Sequence, residues 1–514
     1  MTAVLQEIQQ RLQDPSIPWR QTVLAVVLGV TAFEGWIGSR QKPYLSPILH
    51  PSLPAALRPY LTSPNIHETY TKSQAYARHK LDFSSVINTL DLAETGILLT
   101  GISAPLLAKL GFHVGGKDWT LLKGFWDAAG QVPGAGGSEI RQSMAFVALM
   151  TVIGQVLSIP KELYKNFVME EKHGFNKMTK GTFIGDQIKG LFLSLVLEVP
   201  LIAGLLSIIE WAGQDAILRI VAYAIGFIFL VQLIMIPLFP YVIAPMFNKF
   251  TPLPEDSPAL ARVKGLAERL NFPLGKVWVI NGSLRSSHSN AYFYGLPGLE
   301  KQIVIFDTLL EKSSPEEVEA ILAHELGHWR GHHIVFLLAA SLLQSAFSLT
   351  IFTLFLSNGP LLQSFGFHPS LSSKLLHPLT GAQTGPTIIT LFLASTLFAP
   401  LSAFLHFLTN TVTRALEYDA DAFAVKLGSD MARNLKKALV GLHEKNLVRW
   451  RTCVLSPSPS DSSPSNDIAE SSRPQAIYGV DHIYSAYNHN HPTLVERLEA
   501  LDAELDKKGE KKDQ

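Results

Sequence analysis

The stretch AHELGHWRGHH, residues 323–333, puts four histidines and one glutamate into eleven residues. At the spacing of an α-helix, His324 and His328 are one turn apart and share a face, so both imidazoles can reach one ion. Zinc accepts two such nitrogens and a carboxylate and leaves a fourth position for water. Glu325, one residue on, points sideways toward that position, where a carboxylate can take a proton from water. The preceding residues make the helix. In SSPEEVEAILAHELGH (313–328) Ser314 is placed to cap, Pro315 suits the first helical position and Glu317 completes a capping box. Val318, Ile321, Leu322 and Ala323 then form an apolar face. His332 also lies four residues past His328. Ligands at i, i+4 and i+8 on one straight helix fail on distance, because the outer imidazoles would stand about 12 Å apart, too far for one ion with bonds of about 2.1 Å. The position of Glu325 keeps His324 in the set and leaves His332 out.

Around this helix the chain reads as a membrane protein. Charged residues are 17% of the 514, below the roughly 25% of soluble domains, and the mean hydropathy is +0.19. Lys and Arg number 43 and Asp and Glu 43, a net charge of zero that gives no sign of a nucleic-acid partner, and none is expected. The one cysteine, Cys453, rules out an intrachain disulfide framework and a cysteine metal cluster, so any metal must be held by His, Asp or Glu. Seven apolar windows approach the about 20 residues that a bilayer needs. They are 21–38, 91–111, 144–160, 190–211, 219–246, 333–357 and 386–409, of which the third is short. The expected fold class is a predominantly α-helical polytopic membrane protein of about seven spans. Glu34, Asp91, Glu94 and Glu198 fall in or beside these windows. Ionisable groups in hydrocarbon face a bundle interior or water, so a polar interior is expected beside local pairing between helices.

Orientation follows from Lys and Arg in the loops. The loop after the first window holds Arg40, Lys42, Arg58, Lys72, Arg78 and Lys80, and that after the third holds Lys161, Lys165, Lys172, Lys177, Lys180 and Lys189; the alternate loops hold few. The N-terminus is therefore expected in the lumen, and the C-terminus and the histidine motif in the cytosol. Lys511-Lys512-Asp513-Gln514 resembles the dilysine signal that returns membrane proteins to the endoplasmic reticulum. Asn281-Gly282-Ser283 is a formal glycosylation acceptor that a cytosolic placement keeps unused. Four segments result: 1–246 with the first five spans, 247–332 with the HExxH helix, 333–409 with the last two spans, and a cytosolic 410–514. In the second segment KVWVI (276–280), NAYFYG (290–295) and QIVIF (302–306) read as strands. In the fourth, SPSPSDSSPSNDIAESSRPQ (456–475) has the composition of a disordered insertion.

A third metal ligand is needed. In TNTVTRALEYDADAFAVKLG (409–428) Glu417 and Asp421 are again i and i+4. In isolation, two acids at that spacing read as a solvated helix face. Topology changes the weighting: the HExxH helix runs into the sixth span and Glu417 follows the seventh, so a hairpin returns both to one membrane face. Glu417 can then complete the site, and Asp421 can accept the second N–H of a ligand histidine and fix its tautomer.

HELGHW (324–329), RALEYDADAFA (414–424), RSSHSNAYFYG (285–295), EEKHGFNK (170–177) and HPTLVERL (491–498) together resemble the integral-membrane CAAX prenyl endoproteases, gluzincins that process farnesylated proteins. The resemblance implies seven helices around a large water-filled chamber, capped by a small thermolysin-like domain on the cytosolic side. It implies one zinc ion on His324, His328 and Glu417, with Glu325 as general base and acid and Asp421 bonded to a ligand histidine. Asn290 and Ala291 would lie on an edge strand that pairs with the substrate backbone. His491 and Arg497 would stand near the substrate carbonyl, His491 touching it and Arg497 holding the site together. His288, just before the edge strand, is a further candidate substrate contact. His333 matches a histidine of the family and reads as a membrane-boundary or chamber residue. The implied substrate is a protein ending in a prenylated cysteine and three further residues, which are released as a tripeptide, with a second upstream cut in certain precursors. Partners are then prenylated proteins and the bilayer, with no obligate protein partner. The rival functions are a broader quality-control zinc protease and a non-enzymatic prenyl-protein scaffold. The span count weighs against the first, and Glu325 against the second.

Overall fold

Long, mostly apolar stretches form the membrane helices, three of which carry a proline inside them. The computed structural model describes residues 2–59, 61, 66–109, 118–212, 217–284, 289–295, 299–356, 358–368, 385–448 and 479–510. His288, Cys453, the 456–475 insertion and the final Lys-Lys pair lie outside the described residues. The principal helices of the first half are α1 (Trp19–Gln41), α2 (Ile66–Leu99), α3 (Glu139–Tyr164), α4 (Lys180–Ala212) and α5 (Ile217–Leu238). α3 passes into a π-turn at Lys165–Glu170 and α5 into another at Phe239–Ile243. Each follows a proline, Pro160 or Pro237, whose missing N–H already loosens the hydrogen-bond ladder.

Among the described residues, five helices are long and apolar enough to cross a bilayer: Trp19–Leu45, Glu139–Glu170, Lys180–Ala212, Ile217–Phe247 and His333–Thr353. A sixth is reached if Thr387–Leu397 and Ala399–Leu427, bent by 63° at Phe398, count as one. The chain is thus a multi-pass, mostly helical membrane protein. The second expected window, 91–111, is interrupted: α2 stops at Leu99, and a 3-10 turn at Gly101–Ser103 leads into a short helix, Ala104–Lys109.

The second half builds a sheet and its covering helices. Strands β1 (Phe250–Pro252), β2 (Leu274–Ile280), β3 (Ala291–Tyr294) and β4 (Lys301–Phe306) lie in the order β1-β2-β4-β3. β2 and β4 are parallel, with Val277 beside Ile303, and β3 is antiparallel to β4, with Ala291 beside Ile305. β3 is therefore an outer strand. β1 has three residues, too few for alternation to reveal it in the sequence. Against this sheet pack α6 (Pro258–Leu270) and α7 (Pro315–Arg330). After the membrane helix α8 (His333–Thr353) come α9 (Thr387–Leu397), α10 (Ala399–Leu427), α11 (Ser429–Val448), α12 (His482–Asn488) and α13 (Leu494–Glu510), of which α10 and α11 pack on α7. Val263 and Leu266 of α6, Ile303 and Ile305 of β4, Leu322 and Leu326 of α7, Ala424 of α10, Leu435 of α11 and Leu498 of α13 share one buried apolar cluster. That core draws α7 and α10 together.

The HExxH helix does not run straight into the sixth span. α7 ends at Arg330, and His332 takes φ 54°, a left-handed conformation, before α8 begins at His333. His332 is thus set apart by a turn in the chain, not by the length of a straight helix.

Candidate metal centre and catalytic site

α7 starts where the sequence says it should. Ser314 Oγ accepts a hydrogen bond from Glu317 N (3.3 Å), and Glu317 Oε2 accepts one from Ser314 N (3.0 Å). Its last turns press on α10 through Gly327. A Cβ there would stand 2.9 Å from Ala420 Cα, so only glycine allows this approach. The close crossing carries Glu417, one turn before Asp421, to the two histidines.

His324 Nε2 lies 3.3 Å from His328 Nε2 and 3.4 Å from Glu417 Oε2, and His328 Nε2 lies 3.2 Å from Glu417 Oε1. An ion bonded tetrahedrally at about 2.1 Å separates its ligands by about 3.4 Å. The three donor groups therefore already stand at the edges of a metal's coordination shell, and they form a His-His-Glu group that can hold an ion. Two further observations fit a cation. Glu417 Oε2 is buried and forms no hydrogen bond among the described residues, although His491 Nδ1 is 2.9 Å away. At His324, burial alone would lower the pKa, but Asp421 and Glu417 override it and push it up to about 10, so the local field favours positive charge.

Each ligand-candidate histidine is oriented from behind. Asp421 Oδ1 is 2.8 Å from His324 Nδ1, which places the proton on Nδ1 and the Nε2 lone pair toward the centre. Asp421 in turn accepts two bonds from Arg497, 2.8 Å to Nε and 2.6 Å to Nη2. Both residues are buried, and the carboxylates hold the guanidinium charge even more firmly than usual against the cost of burial. His328 Nδ1 faces His333 Nδ1 at 2.8 Å, and His333 Nε2 lies 3.2 Å from Asp419 Oδ2. The position of His333 against His328 was not readable from spacing, because five residues on a continuous helix do not share a face. The Gly331 that breaks the helix is the one sequence signal for it.

Glu325 is partly buried on α7. Burial pushes its carboxyl above the usual range, opposed by the charges of His324 and His328. His491 follows α12 and stands against Glu417. The motif HPTLVERL starts α13: Thr493 Oγ1 accepts from Glu496 N, and Glu496 Oε2 accepts from Thr493 N. Glu496 also takes a bond from Arg414 Nη2 at 2.8 Å. Three contacts, His491–Glu417, Arg497–Asp421 and Glu496–Arg414, thus lock two segments distant in sequence onto one site. Ala291 is buried at the start of β3, which packs beside α7; Asn290 O accepts from Phe306 N and Asn290 Oδ1 from Ala291 N. EEKHGFNK lies elsewhere. Glu170 accepts from Tyr76 Oη at 2.7 Å, and His173 Nε2 faces His79 Nδ1 at 3.1 Å.

Residues 48–249 match the family described as CAAX prenyl protease N-terminal, five membrane helices, and residues 257–505 match peptidase family M48. CAAX prenyl protease 1 of Saccharomyces cerevisiae is 34% identical over 98% of this chain and 99% of its own. A CAAX prenyl protease 1 homolog of Arabidopsis thaliana is 35% identical over 96% and 99%. The crystal structure of Ste24p from S. mikatae superposes with a TM-score of 0.77 at 33% identity, over 95% of this chain and 100% of that one. With its His-His-Glu group, membrane helices and both halves matched, the chain belongs to the CAAX prenyl proteases of peptidase family M48.

Proposed function

We propose that this protein is a zinc endopeptidase that cuts prenylated proteins after the modified cysteine of a C-terminal CAAX box, releasing the last three residues, with a second upstream cut in certain precursors. The observation that carries the reading is the His324–His328–Glu417 group, spaced at the edges of a tetrahedral shell beside Glu325. The names of the yeast and plant relatives supply the substrate class. Two imidazoles and a carboxylate suit zinc. A zinc ion held there supplies Lewis-acid polarisation of the scissile carbonyl and acidifies water. Glu325 takes the proton of the attacking water. As the C–N bond breaks, the same carboxyl delivers that proton to the departing amine. Asp421 fixes the proton of His324 on Nδ1. His491, against Glu417, stands where it can donate to the carbonyl oxygen as it gains charge. Arg497 keeps Asp421 and His491's neighbour Glu417 in place. Asn290 and Ala291 offer the outer edge of the sheet to an extended substrate backbone; His288, two residues earlier in the sequence, is a further candidate substrate contact.

We further place the site on the cytosolic face of the endoplasmic reticulum membrane, with a lumenal N-terminus and the four segments 1–246, 247–332, 333–409 and 410–514. The five spans, the bent pair and the second half of α2 make seven crossings around a hollow interior. In its favour, only 6–17% of the residues in the five span windows are buried, whereas a solid bundle would bury an inward face on each helix. Polar pairs between the helices support this reading: Lys161 pairs with Asp91 (2.6 Å) and Glu94 (2.8 Å), and Thr151 donates to Glu198. A cavity of about 130 Å³ includes Glu34, Asn88 and Asp91.

The test is purified protein given a farnesylated CAAX peptide, its unprenylated twin and an unfolded polypeptide. Release of a tripeptide from the farnesylated peptide alone, abolished by a chelator and restored by zinc, is the expected result. Equal cleavage of the twin would sink the prenyl-specific reading. Glycan found on Asn281 would overturn the orientation.

A further inference from the structure

The turn between α7 and α8 carries a contact that the peptidase chemistry above leaves unused. Gly331 closes α7, and His332 sits at φ 54°, a left-handed position that a bulky residue adopts only when its surroundings demand it. The turn sends the His333 ring back over the last turn of α7. A Cβ on Gly331 would run into that ring, so the glycine makes room for it. The His333 side chain is 5% exposed and Asp419 59%.

The protons in this chain of groups are determined. For His328 to turn an Nε2 lone pair toward His324 and Glu417, its proton must be on Nδ1. That N–H points at His333 Nδ1, 2.8 Å away, which must therefore be the acceptor. The proton of His333 is then on Nε2, 3.2 Å from Asp419 Oδ2. His324 reaches its carboxylate, Asp421, directly. His328 reaches Asp419, two residues earlier on α10, through an intervening imidazole.

We propose that His333 and Asp419 are positioning residues that hold His328 in the tautomer and ring orientation needed to bind the metal, with Gly331 and the left-handed His332 as the turn that brings them there. The proposal rests on the zinc reading and deepens it. Carboxylates or other acceptors behind a ligand histidine raise its basicity and fix its aim.

The test measures zinc affinity by chelator competition on the full chain in detergent, together with the visible absorption of the cobalt-substituted protein. His333→Leu removes the acceptor and is expected to weaken zinc binding about 10- to 100-fold and to shift the cobalt bands. His333→Asn keeps an acceptor oxygen near the Nδ1 position and is expected to stay within about threefold of wild type. Asp419→Leu should weaken binding and Asp419→Asn should restore it. Packing alone predicts that Asn and Leu at position 333 behave alike, and that result overturns the proposal. So does unchanged zinc affinity in Asp419→Leu, an exposed substitution that decides the matter even if His333→Leu fails to fold. A wild-type chain that binds no zinc would instead overturn the reading beneath.

Discussion

Gly327 sits directly under Ala420: a Cβ on the glycine would come within 2.9 Å of Ala420 Cα and 3.1 Å of Ala420 O. Both near atoms are backbone, so no side chain can swing away to make room. Gly327→Ala must therefore push α7 and α10 apart by several tenths of an ångström, with His324 and His328 on one side and Glu417 on the other. Since a misplacement of about 1 Å can cost roughly 100-fold in rate, a loss of activity between about 10- and 100-fold is expected, together with weaker zinc retention. Peptidase assays and metal content after dialysis check this. Full activity with stoichiometric zinc would show that the helix crossing does not set the site.

Glu325 separates chemistry from metal binding. It neighbours both ligand-candidate histidines, yet the His324–His328–Glu417 group that could hold the ion does not include it. Glu325→Gln keeps the shape and removes the proposed base. The expected outcome is a fall in kcat of about 100- to 10,000-fold, with zinc content and KM for a farnesylated peptide near wild type. A variant that keeps its kcat would remove Glu325 from the mechanism.

Burial at His173 makes stability depend on pH. The desolvated ring, beside His79 and Lys172, has its pKa lowered from 6.5 to about 4, and the residue is 6% exposed. The unfolded chain takes up the proton first. The contribution is therefore intact above pH 6.5, falls as the pH drops from 6.5 toward 4, and changes no further below that. At pH 5 the linkage amounts to about 2 kcal/mol of lost stability. His173→Gln should lose less stability than wild type between pH 7 and pH 5, whatever its own starting point. Melting curves of the two proteins at both pH values decide it, and parallel slopes would count against a buried neutral histidine.

Much of this site was legible because short-range rules wrote it. The capping box at Ser314 and Glu317, the i, i+4 pair His324 and His328, and the second pair Glu417 and Asp421 each need only a helix to define them, and the structure brings them together. What spacing could not supply were the relations that a turn or a second segment creates. His333 reaches His328 only because His332 leaves the helix, and a straight-helix reading hides that. Glu496 meets Arg414, 82 residues away, through packing alone. In the membrane, apolar windows located long helices but not their breaks. Window 91–111 straddles the end of α2, and 386–409 straddles the 63° bend at Phe398. Hydropathy averages over such breaks, because the residues on either side are equally apolar.

Arg497 carries the last test. Its guanidinium makes a two-pronged contact with Asp421 in the interior, and the same Asp421 fixes His324. Replacing one partner of a buried pair leaves the other charge uncompensated, a cost of about 3–5 kcal/mol. In Arg497→Met, Asp421 retains, among the described residues, only the His324 N–H, and Glu417 loses a cation 4.0 Å away. Metal at the centre would return part of the missing positive charge. The melting midpoint should therefore fall strongly in chelator-treated protein and recover in part with zinc, by more than zinc raises the wild type. An equal zinc-induced rise in both proteins would show that Arg497 and the metal do not share the task of balancing these carboxylates.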